Sequence, residues 1–132
     1  LPHVEAIYFE PGRSLTQEGE AIVSRVLDIR RTGNDKVAEI VVDACIAELP
    51  LISSYSHRVF FQSRTGNDSL INELPFSSLK KGETKIMGRI CMEIDILSKG
   101  LNIPSSVQLG DLVIFGDAGA YERTMSYDFG RG

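Results

Sequence analysis

Gly110-Asp111-Leu112-Val113-Ile114-Phe115-Gly116-Asp117-Ala118-Gly119-Ala120-Tyr121 is the most informative run of the sequence. An apolar strand, Leu112 to Phe115, runs into glycines and small alanines and then delivers one tyrosine. Small residues let backbone approach backbone or a ligand closely. A tyrosine at the end of such a segment reads as placed, not merely packed. Two other stretches have the same character: Glu10-Pro11-Gly12-Arg13 and Gly88-Arg89-Ile90-Cys91-Met92-Glu93.

Outward from that run, the strand signals are frequent and short. Val4 to Phe9 is β-branched and aromatic and reads as a short buried strand. It ends at the Pro11-Gly12 bend, and Ser14 is a candidate N-cap for a helical turn over Leu15 to Glu18, broken by Gly19. Ala21 to Arg31 alternates as a long strand. Thr32-Gly33-Asn34-Asp35 turns it, and Val37 to Ala44 returns, which makes a hairpin. The segment around Glu48-Leu49-Pro50 reads as an irregular loop, and Arg58 to Ser63 as a further strand. Arg64 to Asp68 repeats the pentapeptide Arg31 to Asp35, and both read as loops after strands. Asn67 to Gly82 is polar, with exposed turns at Ser77-Ser78 and Lys80-Lys81-Gly82. Thr84 to Cys91 is a strand with an internal glycine, which marks a bulge or a close approach, and Ile94 to Leu97 pairs with it. After a loop from Leu101 to Gly110 comes the Leu112 strand, and Ala118 to Arg123 reads as a short helix. The expected fold is therefore mainly β: a small β-barrel or curled sheet of five or six strands with short helices.

Length and composition bound the function. The chain has 132 residues, enough for one domain with a core. Its 42% hydrophobic and 24% charged content is that of an ordinary globular domain. The net charge is -4, and no basic stripe is present, so nucleic acid is not an expected partner. No apolar run reaches the roughly 20 residues that cross a bilayer, so neither is a membrane. The opening Leu1-Pro2-His3 lacks the features of a signal peptide, which predicts a cytoplasmic location, and the missing initiator methionine suggests a processed or excised piece. Cys45 and Cys91 lie far apart without metal-type spacing and are expected to be free thiols.

Taken singly, the candidate residues allow two readings each. Glu10 and Arg13 straddle a bend at a strand end. A carboxylate there can hold a protonated ring nitrogen and an arginine can clamp phosphate, but from spacing alone a surface ion pair is the commoner case. Cys91 can donate a proton or fill space in a core. Tyr121 can hydrogen-bond a phosphate or pack. Asp43 at a strand end is usually a turn acceptor, and His57 reads as structural or surface. No serine or cysteine triad, metal cluster or phosphate-cradling glycine loop is visible.

Together these residues resemble a known family. Glu10-Pro11-Gly12-Arg13, Val42-Asp43-Ala44, Cys91 with Asp95 four positions on, and Gly110-Asp111 leading to Asp117-Ala118-Gly119-Ala120-Tyr121 with Met125-Ser126 are similar, in order, to the C-terminal portion of the fold-type III pyridoxal-phosphate decarboxylases. These act on diaminopimelate, ornithine and arginine. The resemblance runs from about Val4 to Phe129. It implies that residues 1–132 are a C-terminal β domain, with Leu1 to Arg13 the end of the last strand of a (β/α)₈ barrel that the sequence does not contain. It implies pyridoxal 5'-phosphate as cofactor, an amino-acid substrate, and a homodimer whose site is shared across the interface. By the resemblance Glu10 pairs with the cofactor's ring nitrogen, while Gly12, Arg13 and Tyr121 face its phosphate and the substrate. Cys91 returns a proton to the carbon that has lost its carboxylate. Asp43 and Tyr55 stand on the substrate side, and Phe129 at the interface.

The departures are specific. Leu51 stands where the diaminopimelate branch has an arginine. That branch's substrate-selecting glutamate directly follows the cysteine, where the ornithine branch has an aspartate. Here Met92 holds the place and Glu93 comes one residue late, a slip that on a strand turns a side chain to the other face. The expectation is a decarboxylase whose substrate is neither diaminopimelate nor ornithine, such as a conjugated or carrier-linked amino acid. The five lysines, Lys36, Lys80, Lys81, Lys85 and Lys99, match no cofactor-binding motif, so the chain alone is expected to be inactive. Alternatives are an alanine-racemase-like enzyme, which Gly88 to Glu93 also resembles, and a non-catalytic decarboxylase-like regulatory module.

Overall fold

The computed structural model describes residues 3–64 and 77–130. Its centre is the long strand β1 (Ile22–Arg31), where β-branched residues alternate with polar ones. A bulge falls between Val26 and Asp28, leaving Leu27 exposed. Below the bulge β1 pairs with β7 (Leu112–Phe115), Ser24 opposite Val113. Above it β1 pairs with β2 (Val37–Val42), Ile29 opposite Ile40. A bulge increases local twist, and one strand serving two neighbours in this way curls the sheet.

The remaining strands extend both edges. β3 (Val59–Gln62) lies on β7, and the two-residue β4 (Ser77–Ser78) on β3. On the other side β5 (Lys81–Met87) runs parallel to β2, and β6 (Ile96–Leu101) closes antiparallel on β5. The seven-stranded order is β4-β3-β7-β1-β2-β5-β6. The concave face buries Val26, Ile40, Val42, Ile86, Val113 and Phe115 at no more than 1% exposure, which makes one continuous core. Thr84 is buried among them and its hydroxyl donates to the Val37 carbonyl at 2.8 Å. The mainly β, curled-sheet expectation holds. So do the hairpin, the β3 and β7 strands and the free state of both thiols.

Several local expectations do not hold. Val4 to Phe9 is not a buried strand: it pairs with no strand of the sheet, and Tyr8 and Phe9 are 88% and 84% exposed. Its composition suits a strand, but a strand needs a partner for its backbone. Ser14 lies inside the helical turn α1 (Arg13–Thr16), whose N-cap is Gly12. A 3-10 turn, Gln17–Gly19, follows. Ser77–Ser78 and Lys81–Gly82 are strand, not turn. The strand expected over Thr84 to Cys91 ends at Met87, and the next residue, Gly88, meets the Asp95 carboxylate so closely that any Cβ there would lie 2.2 Å from an oxygen. The terminal helix α2 (Glu122–Met125) begins later than expected, after a turn in which Tyr121 is left-handed, φ +72°. In the repeated pentapeptide, Arg31 ends β1 and a turn follows. Most of the second copy, and much of the polar stretch after it, lies outside the described residues.

Candidate functional site

The glycine run after β7 packs backbone-to-backbone on the segment after Pro11. The Ala118 amide donates to the Glu20 carbonyl at 3.0 Å and the Gly119 amide to the Gln17 carbonyl at 2.9 Å. A Cβ on Gly119 would lie 2.0 Å from the Thr16 carbonyl oxygen, so only glycine allows the approach. This contact carries Tyr121 to Gly12: a Cβ at position 12 would stand 3.3 Å from the tyrosine hydroxyl. The left-handed backbone of Tyr121 is uncommon for a bulky side chain, and such conformations gather at functional sites. Next to Gly12, the Arg13 guanidinium lies 3.7 Å over the Tyr55 ring and its Nε donates to Gln17 Oε1 at 2.8 Å. Arg13 Nη1 is buried and has no hydrogen-bond acceptor among the described residues. An orphaned guanidinium donor is a place for an anion.

Cys91 is exposed within the loop between β5 and β6. Asp95, 1% exposed, organises that loop: its carboxylate accepts from the Ile90 amide at 2.9 Å and from the Ile46 amide at 2.8 Å. Arg89 anchors the loop's start by donating to the Asp43 carbonyl and, at 2.7 Å, to Glu48 Oε1. Glu48 Oε2 accepts from the Cys45 thiol at 2.9 Å. Burial, reinforced by that hydrogen bond, pushes the Cys45 thiol up. Burial also acts to raise Glu48, but the bonds from Cys45 and Arg89 outweigh it and hold the carboxyl below the usual carboxylate range. Asp43 spends one carboxylate oxygen on β1, accepting from Ser24 Oγ at 3.0 Å and the Arg25 amide at 2.7 Å.

A cavity of about 820 Å³ has Tyr55, from beside Arg13, and Glu93, from the Cys91 loop, in its lining. Tyr55 and His57 line one side, and Glu93, Ile94 and Lys99 the other. Tyr55 thus belongs both to the Arg13 stack and to the cavity that Glu93 enters. Gly12, Arg13, Tyr55 and Tyr121 are brought together. Glu10 stays on the exposed arm, and Met92 is half-buried beside Cys91 in its loop. No hydrogen bond or ion pair among the described residues joins Glu10, Asp43, Cys91 or Met92 to the Arg13 cluster.

Sequence reasoning passed over two arrangements. Asp117, also left-handed at φ +60°, binds Arg58 through Nε at 2.8 Å and Nη2 at 2.6 Å, which fixes β3 against the glycine run. His57 and Glu122 form a buried pair with Nε2 and Oε1 3.0 Å apart. Neither follows from spacing, since the partners lie 59 and 65 residues apart and only the curl of the sheet joins them. No cluster of potential metal ligands occurs among the described residues.

Comparison with known proteins follows the same outline. Residues 19–119 match the family model described as pyridoxal-dependent decarboxylase, C-terminal sheet domain. The diaminopimelate decarboxylase of Deinococcus radiodurans is 29% identical over 122 residues, covering 91% of this chain and 28% of the relative. Two solved structures share the fold. Diaminopimelate decarboxylase from Helicobacter pylori, complexed with L-lysine, gives a TM-score of 0.67 at 20% identity over 91% of this chain and 26% of that one. Lysine/ornithine decarboxylase from Vibrio vulnificus, complexed with cadaverine, gives 0.68 at 19% identity over 92% and 30%. The chain spans a little over a quarter of the length of the curated relative from Deinococcus.

Proposed function

We propose a function from one premise: this chain belongs to the pyridoxal-dependent decarboxylase family, as its C-terminal sheet domain. The whole protein is then an amino-acid decarboxylase that uses pyridoxal 5'-phosphate. Its N-terminal part is a (β/α)₈ barrel carrying the cofactor's lysine, and residues 1–13 finish that barrel's last strand. The observation that carries the reading is the Arg13 cluster. The cofactor's phosphate and the substrate's carboxylate are both anions, and the buried, unpaired Arg13 Nη1, next in sequence to the Gly12 that the Tyr121 hydroxyl approaches, fits either.

When bound, the cofactor acts as an electron sink for the bond that breaks at the substrate's α-carbon. This chain's residues do the rest by binding and proton transfer. Glu10 holds a proton at the cofactor's ring nitrogen. Gly12, Arg13 and Tyr121 bind the anion. Tyr55 stacks under Arg13 and keeps its planar fork turned to the site. Cys91 Sγ–H acts as general acid toward the carbon that has lost carbon dioxide, from a loop that Asp95 holds in shape. No hydrogen bond among the described residues joins Cys91 to the Arg13 cluster within one chain, which suits a homodimer in which the thiol serves the partner's site. A cytoplasmic location accords with this role.

Asp43, Met92 and Glu93 bear on the substrate. Leu51 cannot bind a distal carboxylate as an arginine would. Glu93 enters the 820 Å³ cavity with Tyr55, which gives the far end of the substrate room and a carboxylate to meet. We infer an amino acid longer than diaminopimelate or ornithine, with a donor group at its end. Retention of both Arg13 and Cys91 favours an enzyme over a non-catalytic module.

The test uses the full-length protein with a panel of basic and conjugated amino acids. Carbon dioxide release should fall by about two orders of magnitude in Cys91→Ala, the scale of a lost general acid, with less faithful protonation of the product. Unchanged rate and fidelity would remove the thiol from the mechanism. The 132-residue chain alone should form no stoichiometric borohydride-reducible adduct with the cofactor. A stable adduct would contradict the placement of the lysine elsewhere.

A further inference from the structure

The buried His57 and Glu122 pair has no part in the function above, and stability alone explains it poorly. Their side chains are 1% and 2% exposed. Burying a carboxylate and an imidazole is costly, and an apolar pair of the same volume often serves stability as well or better. The pair is not even ideally aligned. Nε2 and Oε1 are 3.0 Å apart, yet the contact lies off the line of a good hydrogen bond. What distinguishes it is what it connects. Glu122 directly follows Tyr121, and its Oε2 accepts from the Leu51 amide at 3.1 Å. His57 is two residues from Tyr55, and its Nδ1 lies 3.1 Å from the Tyr55 carbonyl oxygen. A carbonyl only accepts, so in that contact Nδ1–H is the donor.

The two walls of the Arg13 cluster are thus tied at their backs. Tyr55 reaches Arg13 and Tyr121 reaches Gly12, and behind them the loop 51–57 and the turn 121–122 meet only a few residues away through this pair. We propose that His57 and Glu122 form a clasp of positioning residues that sets the separation of Tyr55 and Tyr121, and with it the presentation of Arg13 to an anion. The proposal rests on the functional reading above. The anion is a phosphate or a carboxylate, from the cofactor or from the substrate.

The experiment uses the full-length protein and the variants E122Q and H57N, with folding checked by circular dichroism. Apoprotein is titrated with pyridoxal 5'-phosphate and with phosphate-free pyridoxal, and kcat and KM are measured on the holoprotein. Each variant should weaken phosphate-cofactor binding, or raise KM, by roughly ten- to hundredfold, the scale of a misplaced binding group. If the phosphate is the anion, pyridoxal binding changes far less. If the substrate carboxylate is the anion, KM rises while cofactor affinity holds. The double variant should be no worse than either single one, because each removes the same tie. Folded variants with cofactor affinity and KM both within about twofold of the unaltered protein would overturn the clasp. An independent arm needs no variant: binding of whichever ligand carries the anion, cofactor or substrate, to the unaltered protein should slow hydrogen exchange in 51–57 and 121–126 together, and slowing in one segment alone, or in neither with both ligands bound, overturns the proposal. Cofactor binding that is intact in the unaltered protein, with affinity and KM both indifferent to the variants, defeats the clasp and leaves the functional reading standing. No binding by the unaltered protein overturns both.

Discussion

At the scale of single residues, glycine chemistry accounts for most of what the sequence disclosed about the site. Gly119 was readable as a point of close approach because alanine and glycine follow an apolar strand there. The structure puts the Thr16 carbonyl 2.0 Å from where its Cβ would be. Gly119→Ala should therefore force the two segments apart and destabilise the chain by about 1–3 kcal/mol, the usual cost of overpacking. Gly33, with nothing within 4 Å of a Cβ and no left-handed φ, is the control, and Gly33→Ala should be close to neutral. Urea unfolding of both variants checks this; equal midpoints would mean that the approach at Gly119 is not tight. Tyr121 was legible as a placed residue. Its left-handed backbone was not, because nothing in sequence marks a bulky residue held at positive φ.

At the scale of elements, β-branched alternation located the strands because each buried face of a curled sheet repeats every second residue. It failed where pairing, not composition, decides. Val4 to Phe9 has strand composition without a strand beside it, while Ser77–Ser78 is strand because β3 supplies the pairing. The Cys91 loop shows the same limit. The spacing of Cys91 and Asp95 was visible, but that Asp95 holds the loop was not, since its carboxylate bonds Ile90 locally and Ile46 from far along the chain. Asp95→Ala leaves both amides without their acceptor, which should cost roughly 2–5 kcal/mol for two charge-assisted hydrogen bonds. Thiol titration follows the consequence for the loop. Cys91, exposed, should react with a disulfide reagent in the native chain, and Cys45, buried and hydrogen-bonded to Glu48, only on unfolding. In Asp95→Ala the Cys45 reaction should accelerate as Ile46 loses its anchor. Equal protection of Cys45 in both proteins would show that Asp95 does not secure that wall.

At the scale of the whole molecule, two carboxylates bind the curl of the sheet, and their ionisation ties stability to pH. Asp117 is held below the usual carboxylate range, first by its hydrogen bonds from Arg58 and against the effect of burial. Glu48 is held below it by Cys45 and Arg89, although burial is the largest single influence and acts the other way. A depressed folded-state value means that the unfolded chain binds protons more readily, so the stabilisation is complete above the ordinary carboxylate pKa of about 4. It is lost as pH falls through the lower folded values. A further long-range ion pair, Lys36 with Glu83, is exposed on both sides and adds little once salt screens it. Urea midpoints of the chain should therefore be flat from neutral pH down to about pH 5 and fall steeply below about pH 4. Asp117→Asn should start lower at neutral pH and show a shallower acid limb, since one of the groups that takes up a proton on unfolding is gone. Glu48→Gln should do the same, with a loss of about 1–3 kcal/mol at neutral pH. An acid limb as steep in both variants as in the parent would place the coupling in other carboxylates and leave these two as packing groups only.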